Sequence, residues 1–249
     1  LSGGDVGGIV GEARTAGAEI VVFLEMYSNG YVAFDPNDPA AKARWCADAE
    51  SLDGDFVFRF REAARTHQIC VVATFPEKAE PQPFNAALLI DAACRPLPHH
   101  RKVRICDFDT PEVACGRGSG FAARDIDTGP SPVRLGLMIC MDRAYPEAAR
   151  ALSRQGTEIA SVPNCGDLAT DRTVGDVRVA QARGRAFEAV IGITVANYPA
   201  PRCDGHSFAV DPSSRIIAMA DTSPGFVLAT LDLGAIRKAR REERFRWQI

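Results

Sequence analysis

The sequence lacks the patterns that several classes of protein require. None of the eight cysteines forms a CxxC pair and no HExxH motif is present, which disfavours zinc ribbons, redox motifs of the thioredoxin type and zinc hydrolases. No apolar run reaches about 18 residues, so a transmembrane helix is not expected. The formal net charge of −3 offers no basic surface for nucleic acid or for an anionic membrane. These absences favour a protein that binds neither nucleic acid nor membrane, and they provide no ligand set for a metal.

The residues that are present describe an ordinary soluble globular protein. The 249 residues are 46% hydrophobic and 24% charged, which is enough to bury a substantial core without disulfides. The cysteine usage therefore favours a reducing, cytoplasmic location. The chain begins at Leu1 rather than Met and carries no signal-peptide pattern, so we expect that native N-terminal residues, including a first strand, are missing from the sequence.

Apolar runs of β type alternate with amphipathic helical segments along most of the chain. The predicted strands of this part are 18–24, 69–75, 86–90, 133–139, 158–162 and 190–196. The predicted helices are 6–17, 55–67, 146–155 and 173–189. The last part of the chain changes to short strands at 207–211, 216–219 and 226–231 and a charged helix at 236–246. Because no linker or low-complexity tract interrupts this alternation, we predict one α/β domain over residues 1–249, with buried sheets covered by helices.

Cys140 stands where a catalytic nucleophile is favoured. The β-type run 133–139 delivers its thiol to the carboxyl end of a strand, and Pro146-Glu147 then opens a helix. A strand-to-helix turn holds a nucleophile in place and directs backbone N–H groups at whatever binds beside it. From the turn alone, Cys140 is either a nucleophile or one more buried cysteine.

A thiol nucleophile needs a base, and it needs a group that stabilises the oxyanion it creates. None of the four histidines has neighbours that identify it as a base, which disfavours a Cys–His pair. Glu25 ends the apolar strand 18–24, at the edge where ligands of α/β proteins usually bind, although a solvated loop acid would have the same pattern. Lys102, in the basic run HHRKVRI, is by itself more typical of a solvated surface position.

One motif imitates a different nucleophile. The segment GHSFA (205–209) is similar to the nucleophile elbow of serine hydrolases, with alanine in place of the final glycine. That elbow requires a helix after the serine and a histidine later in the chain. Here a strand-and-turn pattern follows, and His206 is the last histidine, so a serine mechanism is disfavoured.

Three motifs together resemble the Glu–Lys–Cys triad of the nitrilase superfamily of carbon–nitrogen hydrolases. They are FLEMYSNGY with Glu25, HRKVRI with Lys102 and ICMDRAYPE with Cys140, in that order along the chain. Four further segments are similar to this family, namely FNAALLID (84–91), GTEIASVPNC (156–165), RGRAFEAVIGITVANY (183–198) and GHSFAVDPSSRII (205–217). The resemblance covers roughly residues 7–245.

The resemblance implies a fold and an assembly. The family has an α/β fold, a four-layer α-β-β-α sandwich (nitrilase-like) in which two sheets pack face to face beneath outer helices. Its members commonly form homodimers or higher homo-oligomers, and we expect the same of this chain. Its chemistry uses no metal and no cofactor.

The resemblance also implies catalytic roles. Glu25 would be the general base and Cys140 the nucleophile, whose attack on an amide forms a thioester. Lys102 and the backbone N–H of Met141 would hold the oxyanion. The family often has a second glutamate after the lysine, and Glu112 fits that place best.

Two of these assignments leave alternatives open. Asp109 is a near rival of Glu112, and an exposed loop acid is the other interpretation of that position. Arg143 matches a residue that some carbamoylases use to bind a substrate carboxylate, for which a guanidinium is well suited, but a structural ion pair is equally compatible. The remaining residues that we expect at the substrate pocket are Met141, Asp142, Tyr31, Asn164 and Asn197.

The substrate class is predicted less sharply than the chemistry. The sequence Met141-Asp142-Arg143 after the cysteine resembles amidases and carbamoylases, whereas true nitrilases usually carry Trp-Glu there. We therefore expect a small linear amide as substrate, with an N-carbamoyl compound or a nitrile as alternatives. A non-catalytic binding or scaffold protein of the same fold is the alternative of another class. Such relatives typically lose a triad residue, and this chain retains all three.

Overall fold

The computed structural model describes residues 5–93, 95, 97, 99–128, 131–167, 170–171 and 175–243. The backbone divides into two compact units. The first unit comprises residues 1–120 and 127–130, and the second comprises residues 121–126 and 131–249. Each unit is built around one β-sheet. Within the described ranges, no helix has the length and apolar character needed to cross a membrane.

The first unit contains a four-stranded mixed sheet. In chain order its elements are α1 (Val6–Thr15), β1 (Ile20–Val22), α2 (Pro39–Ala47), α3 (Asp55–His67), β2 (Cys70–Glu77), β3 (Phe84–Ile90) and β4 (His100–Arg101). The strand order is β1-β2-β3-β4, with β1 parallel to β2 and the other pairs antiparallel. The residues that follow β1 and β4 are therefore carried by a sheet whose central strand, β2, is buried along its whole length.

The core of the first unit lies between helices α1 and α3 and the sheet. Phe56 and Phe60 of α3 lie one helical turn apart, as a helix with one apolar face requires, and their ring centroids are 4.8 Å apart. They join Val10 of α1 and Phe75 of β2 in one apolar cluster. Fully burying side chains of this size contributes about 1.5–3 kcal/mol each, so this cluster anchors both helices to the sheet.

The second unit contains a six-stranded sheet of order β12-β11-β10-β7-β6-β5. In chain order its elements are β5 (Ala123–Asp127), β6 (Pro132–Leu137), α4 (Pro146–Arg154), β7 (Ile159–Asn164), β8 (Thr170–Asp171), β9 (Gly175–Asp176), α5 (Val177–Ala189), β10 (Gly192–Asn197), β11 (Phe208–Val210), β12 (Ile216–Met219) and α6 (Leu233–Glu242). Strands β6, β7 and β10 run parallel, whereas β11 and β12 continue the sheet antiparallel. Strands β8 and β9 form a separate two-stranded ribbon.

Helices α4 and α5 cover the parallel strands of the second unit. Leu152 of α4 and Ala182 and Ala186 of α5 pack in one buried cluster with Val162 of β7 and Ile193 of β10. Pro146 occupies the first turn of α4, where its missing N–H costs nothing, and the Asp176 side chain caps α5. The carboxyl ends of β6, β7 and β10 therefore lie along one edge, and β6 leads into Cys140.

The α/β class with two sheets is confirmed, and most predicted elements are present with shifted ends. The predicted strand 226–231 is wrong, because that segment is non-regular and exposes Phe226 and Leu228 by 52% and 45%. Sequence patterns missed α2, in which only Trp45 is buried, and β5, in which only Ala123 and Ile126 are buried. Residues 173–174 of the predicted long helix and 244–246 of the predicted last helix lie outside the described residues.

Candidate active site

Glu25 lies just beyond the end of β1 and is completely buried. Its carboxylate accepts hydrogen bonds from Asn85 Nδ2 at 2.7 Å and from Lys102 Nζ at 2.8 Å. The chain turns sharply after it, since Met26 has a φ of 48°. The Thr74 hydroxyl of β2 fastens this turn by donating to the Leu24 carbonyl oxygen and accepting from the Tyr27 N–H. The apolar strand thus delivers a carboxylate to buried polar partners within the first unit rather than to solvent.

Lys102 follows β4 and is also completely buried. Its ammonium lies 2.8 Å from Glu25 Oε1 and 2.5 Å from Glu112 Oε1. The main chain on both sides is held by the Asn85 carbonyl oxygen, which accepts from Lys102 N–H, and by Gly118 N–H, which donates to the Lys102 carbonyl. A Cβ at position 118 would overlap with the Arg101 carbonyl oxygen, so this close approach requires glycine. The basic run HHRKVRI therefore directs its lysine inward.

Glu112 begins a short 3₁₀ helix, Glu112–Ala114, and is completely buried. Its Oε1 accepts from Lys102 Nζ and, at 2.7 Å, from the Tyr31 hydroxyl, while Oε2 accepts from Cys106 N–H at 2.8 Å. The side chain of the near rival Asp109 instead accepts a hydrogen bond from the backbone N–H of its neighbour Thr110. The first unit thus brings Glu25, Lys102, Glu112 and Tyr31 together in one group, which we call the carboxylate–lysine cluster.

The charges of the carboxylate–lysine cluster do not balance if both glutamates are ionised. Burial raises the pKa of Glu25 from its ordinary 4.5 to about 7; Lys102 opposes that rise, and the negative charge of Glu112 adds to it. Burial acts on Glu112 as well, but the charge and hydrogen bond of Lys102, the Cys106 N–H and the Tyr31 hydroxyl outweigh it and lower its pKa. Glu112 and Lys102 therefore form a fixed ion pair, and Glu25 exchanges its proton near neutral pH, where a general base is most useful.

Cys140 is the third residue after β6, at the first position of a 3₁₀ helix, Cys140–Ala144. Its φ of 44° lies in the left-handed region, which residues other than glycine rarely adopt. Strained backbone conformations of this kind cluster at functional sites. Asp142 fastens the turn, because its buried carboxylate accepts from Ile139 N–H at 3.0 Å. The thiol is half-buried and lies 3.7 Å from the Cys165 carbonyl oxygen, its acceptor. The predicted strand-to-helix turn is present, and Cys140 is at its tip.

Arg143 braces the same turn from within. Its Nη1 donates to the Cys140 carbonyl oxygen and to Asn164 Oδ1, both at 2.6 Å. Asn164 Nδ2 in turn donates to Asn197 Oδ1 at 2.8 Å, across the ends of β7 and β10. Asn197 also binds the main chain at Gly166. The second unit thus connects Cys140 through Arg143 to two buried asparagines, in a group that we call the cysteine turn. Met141, directly after Cys140, is half-buried.

The structure thus places the predicted residues in two groups, one in each unit. Two further residues of these groups were not predicted from the sequence. Asn85 bridges the two glutamates of the carboxylate–lysine cluster, with Nδ2 at 2.7 Å from Glu25 and 3.4 Å from Glu112. Arg178 of α5 is buried and donates to the Gly166 carbonyl oxygen at 2.9 Å. A polar residue at the start of an otherwise apolar strand, as in FNAALLI, is the only hint that the sequence offers for Asn85.

The serine of the elbow-like segment has a structural contact. Ser207 Oγ accepts from Asn197 N–H at 2.9 Å, and strand β11, not a helix, follows it. The geometry that a nucleophile elbow requires is therefore not present at Ser207.

Comparison with known proteins identifies the family of this chain. The family model described as carbon–nitrogen hydrolase matches residues 7–241. A Pseudomonas protegens protein described as a hydrolase in the pqqF 5′ region is 29% identical over 235 residues, which are 92% of this chain and 76% of that protein. Human deaminated glutathione amidase is 26% identical over 252 residues, which are 94% of this chain and 72% of that enzyme.

Among solved structures, a mutant amidase from Nesterenkonia sp. AN1 has the same fold. It carries acrylamide, bound by Michael addition at the active site cysteine. The two chains are 25% identical, the TM-score is 0.74, and the similarity covers 95% of this chain and 89% of that one.

Proposed function

The chain belongs to the carbon–nitrogen hydrolase family of the nitrilase superfamily, and we propose that it hydrolyses small linear amides through a thioester on Cys140. Its enzyme class, a cysteine-dependent amidohydrolase, follows from the family and from its amidase relatives. The observation that carries the detailed proposal is the carboxylate–lysine cluster, in which a buried Glu25 with a pKa of about 7 is bonded to a buried Lys102. Such a pair is costly to bury, and strongly shifted pKa values cluster at functional sites.

The first half of the reaction forms the thioester. Glu25 accepts the proton of Cys140, and the sulfur attacks the carbonyl carbon of the amide. The carbonyl oxygen becomes an oxyanion, which Lys102 Nζ and the Met141 N–H stabilise. The intermediate then collapses as Glu25 returns the proton to the departing nitrogen. Ammonia or an amine leaves, and the acyl group stays on sulfur.

The second half of the reaction regenerates the thiol. Glu25 accepts a proton from water, whose oxygen attacks the thioester carbonyl carbon, and the same two donors hold the new oxyanion. Collapse expels the Cys140 sulfur, which regains its proton from Glu25, and a carboxylic acid leaves. Glu112 keeps Lys102 in position throughout, because its carboxylate accepts hydrogen bonds from Lys102, Tyr31, Cys106 and Asn85 and stays ionised.

The substrate that fits best is a small linear carboxamide. The human relative is a deaminated glutathione amidase, and the Nesterenkonia enzyme is an amidase whose cysteine reacts with acrylamide. An N-carbamoyl compound is the second candidate, because the sequence match of Arg143 to a carboxylate-binding residue of some carbamoylases favours it. Nη1 of Arg143, however, donates to the Cys140 carbonyl oxygen and to Asn164. This nitrogen therefore holds the turn of the nucleophile rather than a substrate carboxylate. A nitrile is the third candidate and is disfavoured by Met141 in place of tryptophan.

Three further features belong to the same proposal. A single family model matches residues 7–241, which supports one carbon–nitrogen hydrolase domain over residues 1–249. We infer a homodimer or higher homo-oligomer, which light scattering coupled to gel filtration would detect as a mass at least twice that of the chain. A cytoplasmic location is inferred from the cysteine usage, and fractionation of the native cells would test it.

A substrate panel tests the proposed reaction. Purified protein is incubated with carboxamides, N-carbamoyl compounds and nitriles, and ammonia release is measured. We expect turnover of short carboxamides and none by Cys140→Ala, since no covalent intermediate can form without the thiol. Cys46→Ser, which removes a half-buried thiol of the first unit, is the control and should keep wild-type rates. Amide turnover by Cys140→Ala would overturn the assignment.

A labelling experiment separates an enzyme from a binding or scaffold protein. Limiting iodoacetamide should modify Cys140 ahead of the other cysteines, because a base-activated thiol is the more reactive. The buried thiols Cys70 and Cys115 should resist, because burial raises the pKa of both, that of Cys70 to about 11. Peptide mapping reads the result. Indiscriminate labelling with Cys140 inert would favour a non-catalytic role.

A further inference from the structure

A pair of thiols lies next to the cysteine turn. The Sγ atoms of Cys165 and Cys203 are 3.3 Å apart, although the two residues are separated by 38 positions in the sequence. We propose that Cys165 and Cys203 form a peroxide-reactive dithiol that closes reversibly to a disulfide and thereby slows the nucleophile Cys140. The role in regulation rests on the proposed function of Cys140, whereas the formation of the disulfide does not.

The sheet of the second unit creates this pair. Cys165 directly follows β7, and Cys203 lies in the loop after β10, which is the parallel neighbour of β7 with Asn164 opposite Asn197. Because parallel strands end at the same edge, their loops emerge side by side. Asn197 holds the Cys165 loop by accepting from Gly166 N–H at 3.2 Å and donating to the Gly166 carbonyl oxygen at 2.9 Å. The two sulfurs are therefore juxtaposed by the fold.

The environment of the pair suits oxidation by a small reagent. Both residues are half-buried, so a small reagent such as peroxide can reach them. The hydrogen bond with Cys165 lowers the pKa of Cys203 by more than burial raises it, and a hydrogen bond with the Gly166 backbone lowers it further. The lowered pKa favours the thiolate of Cys203, which is the reactive form.

The proposed oxidation is balanced by one molecule of hydrogen peroxide. The Cys203 thiolate attacks one peroxide oxygen and breaks the O–O bond, giving a sulfenic acid and a hydroxide that takes up the thiol proton as water. The Cys165 sulfur then attacks the sulfenic sulfur. The S–O bond breaks, and the second hydroxide leaves as water with the proton of Cys165. Two thiols and one peroxide give one disulfide and two waters, and a dithiol reductant reverses the change.

Disulfide formation would act on Cys140 through the main chain of Cys165. The Cys140 thiol lies 3.7 Å from the Cys165 carbonyl oxygen, which accepts its hydrogen bond. An S–S bond is about 2.05 Å long, so the two sulfurs must approach by more than 1 Å from their present 3.3 Å. A displacement of about 1 Å near a reacting group can cost on the order of 100-fold in rate. Oxidation of the pair should therefore reduce turnover without touching the nucleophile itself.

The chemical test uses the full chain with the nucleophile removed. Cys140→Ser is treated with hydrogen peroxide, and the intact mass and the linked peptides are measured. We expect a loss of the mass of two hydrogens, a cross-link between the peptides of Cys165 and Cys203, and reversal by dithiothreitol. Adding Cys203→Ser should abolish the mass loss, whereas adding the control Cys46→Ser should preserve it. Stepwise oxidation of the individual cysteines without that cross-link would overturn the proposal.

The functional test compares enzymes that keep Cys140. Mild peroxide should lower the amidase activity of the wild type by about 10- to 100-fold, with recovery on reduction. Cys203→Ser should lose much less under the same conditions. If the disulfide forms and wild-type turnover is unchanged, the effect on Cys140 is refuted. If the reduced enzyme hydrolyses no amide at all, the proposed function fails, and the mass measurement still decides whether the dithiol exists.

Discussion

The ammonium nitrogen of Lys102 lies 2.8 Å from a carboxylate oxygen of Glu25, and both side chains are completely buried. Glu112 holds the same ammonium from another side at 2.5 Å. One buried cation thus serves two carboxylates, so that one glutamate takes the stable ion pair and the other is left with a pKa of about 7. The division between a fixed charge and a titrating base follows directly from this arrangement.

Glu25→Gln should remove most activity and leave the fold intact. Glutamine keeps the shape of the side chain but cannot accept a proton, so we expect kcat to fall by about 10²–10⁴-fold. Ammonia release and circular dichroism provide the two measurements. Glu77→Gln is the matched control, since Glu77 is equally buried but pairs with Arg101 and His99.

The control should show the opposite pattern. Because Arg101 remains 36% exposed, the loss of the Glu77 pair should lower stability by about 1–3 kcal/mol and leave kcat near that of the wild type. Equal losses of kcat in Glu25→Gln and Glu77→Gln would contradict a catalytic role for Glu25.

The pH dependence of the reaction should depend on the titration of Glu25. With a pKa of about 7, Glu25 is protonated below neutral pH and cannot accept the thiol proton, so kcat/KM should fall about tenfold per pH unit on the acidic side. The negative charge of Glu112 contributes to the raised pKa of Glu25. Glu112→Gln should therefore move the acidic limb to lower pH as well as reduce the rate. An unmoved limb would mean that another group controls it.

Stability should also depend on the proton of Glu25, with a definite sign. The pKa is higher in the folded chain than its ordinary 4.5, so the folded state binds more protons than the unfolded state between these values. The stability that protonation provides is present below about pH 4.5 and is lost as the pH rises through about 7. Glutamine mimics the protonated acid at every pH. The free energy of unfolding of Glu25→Gln should therefore rise relative to that of the wild type by roughly 3 kcal/mol between these two pH values. Urea unfolding at a series of pH values measures the difference, and a constant difference would refute the raised pKa.

Arg143→Met should act on kcat more than on KM. Because Nη1 holds the Cys140 carbonyl oxygen at 2.6 Å, its loss should loosen the nucleophile and lower kcat by about 10- to 100-fold for every substrate. Arg183→Met, which removes an exposed arginine bonded to the Ser214 carbonyl oxygen, is the control. A rise in KM confined to substrates that carry a carboxylate would instead favour the substrate-binding role.

Gly118→Ala should destabilise the carboxylate–lysine cluster, whereas Gly120→Ala should not. The new methyl group would overlap with the Arg101 carbonyl oxygen next to Lys102, while position 120 has no atom within 4 Å. We expect a loss of about 1–3 kcal/mol and reduced turnover for Gly118→Ala only. Thermal unfolding and ammonia release of the two variants provide the comparison. Equal unfolding temperatures would show that the local backbone gives way without cost.

The sequence predicted the positions of Glu25 and Cys140 because each ends an apolar run, and a strand is the simplest structure for such a run. It could not predict the contact of Asn85 with Glu25, which depends on how β3 packs in its sheet. The roles of Lys102 and Glu112 were predicted only by resemblance, since their own flanks are typical of solvated segments. Their place in one group requires the tertiary fold.

Other features escaped prediction for a related reason. Phe226 and Leu228 alternate as in a strand, but that segment lies outside every sheet of the described residues, so the pattern alone was misleading. The Cys165–Cys203 pair was invisible because a search for closely spaced cysteines cannot detect residues that two parallel strands bring together.

At position 140 the stability of the protein and its proposed chemistry favour different residues, because the backbone of Cys140 is left-handed. Glycine would occupy a φ of 44° without the steric cost that a cysteine bears there. A library of variants selected for thermal stability alone should therefore enrich glycine at position 140. The selected variants would be more stable than the wild type but inactive. Selection for a thermostable enzyme should consequently include a turnover assay at every round. The reactive sulfur belongs to a position whose backbone conformation favours glycine, which cannot act as a nucleophile.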